Sequence, residues 1–162
     1  MKLIVYPDRG ALVAGLADTV ISELSAALQS DGHASLSVPG GTTPGPVFDL
    51  LSAAAIDWAR VAVFLNDERW VDEASDRSNT RLLRNRLLRG NAAVAHLVPL
   101  FSPGATPEDR LEELSAGIEQ HLPITVLVLG MGLDMHTASL FPGADRLADA
   151  LAADAPILLA MR

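Results

Sequence analysis

The sequence contains no cysteine, which excludes a disulfide framework, a thiolate metal site and a thiol nucleophile. That lack suits a reducing compartment, and a cytoplasmic location is expected. Positive charge is scarce: 12 Lys and Arg stand against 20 Asp and Glu, giving a formal net charge of −8. An acidic surface repels polyanions, so nucleic acid is not an expected partner, and a ligand phosphate must be met by a local positive site. Long apolar runs are lacking as well. Residues 124–133 form the longest stretch, too short for a bilayer and closed by Asp134, while the run over residues 3–6 is too short for a secretory signal and stops at Pro7 and Asp8. No membrane partner is expected. No internal repeat, low-complexity tract or linker interrupts the chain, and 49% of its residues are hydrophobic, enough to build one core. A single domain over residues 1–162 is the expectation.

What is present is an alternation of strand and helix patterns. Residues 3–6 read as a first strand, followed by Leu12, Leu16, Val20, Ile21, Leu24 and Leu28 at helical spacing as far as Asp31-Gly32. Ala34 to Val38 is a second strand, leading through Gly40-Gly41-Thr42-Thr43-Pro44 into a helix that ends near Ala55. Val61 to Leu65 is a third strand, broken by Asn66-Asp67-Glu68-Arg69 and followed by a helix over residues 79–89. Residues 96–100 form a weaker strand, and Thr106-Pro107-Glu108-Asp109 starts a helix that runs to about Gln120. Residues 124–129 are continuously apolar and β-branched, as in a central parallel strand covered on both faces. Residues 157–161 read as a strand just entering. The pattern predicts an α/β fold: a Rossmann-like, mostly parallel sheet with helices on both faces and ligands beyond the carboxyl ends of the strands.

Three polar clusters fall at such ends. The glycine-rich turn offers unobstructed backbone N–H groups, two hydroxyls and a helix N-terminus, a combination suited to phosphate; its plainer reading is an ordinary tight turn. It has no G-x-G-x-x-G and no lysine after the glycines, which disfavours dinucleotide and Walker-type sites. In Asp67-Glu68-Arg69 a guanidinium can reach phosphate or a developing oxyanion while a carboxylate orients it, or the three form a surface ion-pair loop. Arg77, Arg81 and Arg84 share one helix face, as a ligand-binding or merely solvated stripe. The segment Gly130 to Pro142 places Asp134 two residues before His136. There the carboxylate can orient an imidazole, which ordinarily titrates near 6.5 and so accepts a proton from water at neutral pH. His33, His96 and His121 lack such neighbours and read as structural. Ser139 has no G-x-S-x-G elbow and no His/Asp/Glu cluster has metal-ligand spacing, so neither a serine nucleophile nor a metal is expected.

Taken in order, Gly40-Gly41-Thr42-Thr43-Pro44, then Asp67-Glu68-Arg69-Trp70-Val71 with Ser78-Asn79, then Leu129-Gly130-Met131-Gly132 through Asp134, His136 and Thr137-Ala138-Ser139-Leu140-Phe141-Pro142 resemble the 6-phosphogluconolactonase family. The wider group includes glucosamine-6-phosphate deaminases. The resemblance implies hydrolysis of 6-phospho-D-glucono-1,5-lactone to 6-phosphogluconate in the pentose phosphate pathway, with no metal or organic cofactor and a phosphorylated sugar lactone as partner. It implies that Gly40, Gly41, Thr42 and Thr43 hold the phosphate, that His136 paired with Asp134 activates water, and that Arg69 binds phosphate or the lactone oxygen. Asp67 and Arg77 join the expected binding set. Two rival readings are a deaminase using Asp67 as base and a non-catalytic sugar-phosphate binder. Met135 stands where many relatives have glycine; it is expected to be tolerated, with its side chain lining the pocket. Relatives continue beyond Arg162, so the last part of the fold is expected to be missing and the uncovered apolar sheet surface to favour self-association.

Overall fold

Asp8 opens the first helix by accepting a hydrogen bond from the Ala11 amide at 2.8 Å, satisfying one of the N–H groups that a helix start leaves unpaired. Helix α1, Arg9–Ser30, buries Ala17, Val20, Leu24 and Leu28, a stripe at three- and four-residue spacing. Gly32 then turns the chain out of the helix at φ 77°, a left-handed conformation that glycine adopts without penalty. In this computed structural model, which describes residues 2–162, the other elements are β1, Ala34–Val38; α2, Gly45–Ser52; β2, Val61–Leu65; α3, Asn79–Arg86; β3, His96–Leu97; α4, Leu111–Glu119; β4, Val126–Leu127; and α5, Leu147–Ala150.

The four strands form one sheet in the order β3-β2-β1-β4, and every neighbouring pair is parallel. Parallel neighbours need crossovers, which α2, α3 and α4 supply in turn. The chain steps outward from β1 to β3 and then returns to the far side of β1. The gap between the ends of β1 and β4 is therefore the switch point at which such sheets leave a crevice.

Strand alternation divides the core. Ala34, Leu36, Val38, Val61, Val63 and Leu65 face α1, α2 and α3, packing with Val20, Leu24, Phe48, Leu51, Trp58, Leu83 and Leu87. Ala62 and Phe64 face the other way, against Val98 and Ile118. Helices thus cover both faces, as the sequence pattern predicts. Leu24, Leu36, Leu51, Leu83 and Leu87 are fully buried, each contributing roughly 1.5–3 kcal/mol. Ser35, also buried, exchanges two hydrogen bonds with Thr125, its amide donating to Oγ1 at 3.0 Å and its Oγ accepting from the Thr125 amide at 2.9 Å.

Several expectations need correction. Residues 3–6 are no strand: Leu3 is 81% and Val5 82% exposed, and the run has no partner strand among the described residues, without which a strand's backbone groups go unpaired. Of the predicted fifth strand, Val126–Leu127 pairs, and among the described residues it pairs with β1 alone. Leu127 and Leu129 are half exposed in consequence. Residues 157–161 are irregular, although Leu158 packs against the second face. The helix predicted from Thr106 begins as a 3-10 turn, Pro107–Arg110, closed by a capping box between Thr106 and Asp109. Finally, α1 is long and apolar enough to cross a membrane by length and composition, although no continuous apolar run marks it. Its Asp18, Thr19, Ser22 and Glu23 are exposed while the opposite stripe packs in the core, the pattern of an amphipathic core helix.

At the amino end of the sheet His121 follows α4 and its ring lies 5.6 Å from that of His96. Its buried Nε2 has no hydrogen-bond partner among the described residues. Burial, followed by the nearby His96 and His33, pushes the imidazole below its ordinary value. The unfolded chain therefore binds more protons than the folded one below about pH 6.5, so stability falls as pH drops through that window and is regained above it. Urea midpoints measured between about pH 5 and 8 should show this slope, and His121→Gln should flatten it. Equal slopes in the two proteins would assign the dependence to other groups.

Candidate active site

The carboxyl ends of β1, β2 and β4 open on one cavity of about 410 Å³ between the starts of α1 and α2. At the end of β1, Gly40 lies so close to Asn79 that a Cβ there would overlap the carboxamide. Gly41 has φ 80°, which L side chains rarely adopt. Both glycines and Thr43 line the cavity. Thr42 is exposed and lies outside it, with its carbonyl accepting from the Gly45 amide at 3.2 Å. Pro44 starts α2 with no side-chain cap; Gly45 already donates to Thr42 and Pro46 has no N–H, so Val47 is the first-turn amide left to an anion.

The loop after β2 is braced from several directions. Asn66 Nδ2 donates to the Val128 carbonyl at 2.8 Å and its backbone amide to Val38 at 3.0 Å, joining the ends of β1, β2 and β4. Asp67 lines the cavity and accepts from Ser139 Oγ at 3.1 Å. Glu68 reaches α3 instead of a cation. Its carboxylate accepts from the amides of Arg69, Asn79 and Thr80 and from the hydroxyls of Ser78 and Thr80 at 2.7–3.2 Å. Arg69 lines the cavity, and its guanidinium donates to the Arg77 carbonyl at 3.1 Å. The surface ion pair read from sequence does not form among the three residues, and the side-chain partner of Arg69 is a carbonyl rather than a neighbouring carboxylate.

The arginine stripe is not a free positive face. Arg81 pairs with Asp76 at 2.5 Å and Arg84 with Glu73 at 2.6 Å, while Arg77 is exposed and outside the cavity.

After β4, the Met135 amide donates to the Gly132 carbonyl at 3.0 Å and the Gly132 amide to the His136 carbonyl at 2.9 Å. This tight turn brings His136 Nδ1 to 2.5 Å from Asp134 Oδ1. The imidazole hydrogen bond holds the Asp134 carboxyl below its ordinary range, keeping it an acceptor that selects the Nδ1–H tautomer. Nε2 is then the free lone pair, and His136 lines the same cavity as the glycine turn. Phe141 stacks on the ring with centroids 4.2 Å apart, and a Cβ on Gly132 would overlap the imidazole. Met135 has φ 65°, costing about 1–2 kcal/mol for a non-glycine residue. Its side chain is 78% exposed and does not line the cavity, contrary to expectation: the left-handed backbone turns it to solvent.

The fold thus brings together Gly40, Gly41, Thr43, Asp67, Arg69 and His136, with Asp134 behind the imidazole. It leaves Thr42 and Arg77 aside. It also adds Asn79 and Arg9 to the wall; Ser78-Asn79 was visible only as a motif, and nothing local marked Arg9.

Fold and site define a parallel α/β protein with its ligand cavity at the topological switch point, built from a glycine-rich turn and an Asp-steered histidine. The sequence model of the glucosamine-6-phosphate isomerases/6-phosphogluconolactonase family matches residues 7–161. The chain belongs to that family. It is 45% identical over 149 residues to the 6-phosphogluconolactonase of Rhizobium meliloti, covering 91% of this chain and 64% of that protein. It is 48% identical over 129 residues to that of Pseudomonas aeruginosa, covering 79% and 54%. The crystal structure of a 6-phosphogluconolactonase from Shewanella baltica superposes with a TM-score of 0.89 at 40% identity, covering 93% of this chain and 65% of that one. The chain therefore spans less than two thirds of the length of these relatives.

Proposed function

We propose that this chain carries the catalytic centre of a 6-phosphogluconolactonase, hydrolysing 6-phospho-D-glucono-1,5-lactone to 6-phosphogluconate in the pentose phosphate pathway. The observation that carries the reading is the convergence on one cavity of the Gly40-Gly41 turn, Arg69 and a histidine whose Nδ1 is engaged by Asp134. The glycine turn, with Thr43 and the Val47 amide at the start of α2, receives the phosphate. His136 Nε2 takes a proton from water as its oxygen bonds to the lactone carbonyl carbon, and the Asp134 carboxylate stabilises the imidazolium. The carbonyl oxygen gains negative charge as water adds, while Arg69 meets the phosphoryl group from the loop after β2. The tetrahedral intermediate then breaks its bond to the ring oxygen, which receives the proton from His136. The resulting acid ionises to the carboxylate. The phosphorylated substrate and the lack of cysteine fit a cytoplasmic setting.

Lactone loss catalysed by the purified chain, measured above the spontaneous rate, is the direct test. Ammonia release from glucosamine 6-phosphate without lactone turnover would favour the deaminase reading, in which Asp67 is the base. Binding of 6-phosphogluconate with no acceleration would reduce the chain to a sugar-phosphate binder.

A further inference from the structure

Positive charge is distributed unevenly in this acidic chain. Of its 12 Lys and Arg, Arg60, Arg81, Arg84, Arg86, Arg89, Arg110, Arg146 and Arg162 are engaged by carboxylates. Lys2, Arg9, Arg69 and Arg77 make no ion pair among the described residues. Two of these four, Arg9 and Arg69, lie on the wall of the cavity that also holds Gly40, Gly41 and His136.

Arg9 is the first residue of α1, and the first turn of that helix carries no acidic residue. A cation there opposes the helix macrodipole, which favours negative charge at the N-terminus. Capping is already supplied by Asp8, so helix stability does not account for an arginine at this position. Its side chain is exposed while Leu12 and Leu16, on the same helix, form apolar wall beyond it.

We infer that Arg9 is a second phosphate-binding residue, engaging the phosphoryl group of the sugar ligand from α1 while Arg69 approaches from the loop after β2. This rests on the lactonase reading of the cavity and adds a residue to it. A guanidinium meets a phosphoryl group with paired, charge-assisted hydrogen bonds. Two such groups, added to the amides of the glycine turn, would make the site select phosphorylated over unphosphorylated sugar acids.

Calorimetric titration of the wild-type chain, Arg9→Ala and Arg9→Lys with 6-phosphogluconate, inorganic phosphate and gluconate tests the assignment. Arg9→Ala should weaken 6-phosphogluconate and phosphate by about tenfold or more, the scale of one charged hydrogen-bonded contact. Arg9→Lys should recover part of the loss, and gluconate should bind all three proteins alike. Arg9→Gln gives the same reading should the alanine variant fail to fold by circular dichroism. Unchanged affinity for 6-phosphogluconate in a folded neutral variant overturns the inference and leaves the lactonase reading standing. An equal loss for gluconate also overturns it, since the contact would then be to the carboxylate. If the wild-type chain binds neither phosphate nor 6-phosphogluconate, the cavity reading and Arg9 fall together.

Discussion

His136→Ala is expected to lower lactone turnover by roughly 10²–10⁴-fold, the contribution of a positioned general base. The loss should appear in kcat and in kcat/KM alike, with KM little changed, because the imidazole acts on water in the transition state and the phosphate is held elsewhere. Affinity for 6-phosphogluconate should stay within a few-fold of wild type, since Gly40, Gly41 and Arg69 reach the cavity from other elements. Asp134→Asn should reduce kcat as well. An amide facing Nδ1 no longer selects the Nδ1–H tautomer and cannot stabilise the imidazolium. Stopped assays with the spontaneous rate subtracted measure all of this. Wild-type turnover in the His136 variant would remove the histidine from the chemistry.

Glu68→Ala is expected to be the most damaging single change in the loop after β2, through stability rather than chemistry. The carboxylate accepts hydrogen bonds from three backbone amides and two hydroxyls, and Ser78, Asn79 and Thr80 are buried. Truncation strips the start of α3 of its anionic acceptor and strands donors away from water, costing about 2–4 kcal/mol. In a chain of this size that lowers Tm by about 5–15 °C. Glu68→Gln, which keeps acceptor oxygen but loses the charge, should fall between. Activity should decline as well, because Asn79 packs against Gly40 and donates to the Asp67 carbonyl at 3.1 Å. A melting curve unchanged by Glu68→Ala would show that solvent replaces the carboxylate without cost.

The two variants separate binding geometry from proton transfer. His136 is presented by a turn closed within five residues, from Gly132 to His136, and rests on Phe141. The phosphate side depends on the brace of Glu68, Asn79 and Asn66 between β2, α3 and β4. Damage to the brace should therefore raise KM before it lowers kcat.

Read from residues alone, β1 and β2 were visible with the bounds they adopt, α1 with its end and α3 with its start. These elements carry their own signals: an apolar period of two or of three to four residues, and glycine at a helix stop. The Asp134–His136 pair was equally plain, because two residues in one short turn meet whatever the rest of the chain does. Local chemistry determined that much. Only the tertiary structure decided that residues 3–6 pair with no strand among the described residues, that Arg81 and Arg84 are neutralised while Arg9 joins the cavity, and that Glu68 caps α3 rather than pairing with Arg69. Each of those outcomes depends on hydrogen bonds or charges brought together from distant parts of the chain, and their free energy is absent from any window of sequence short enough to read.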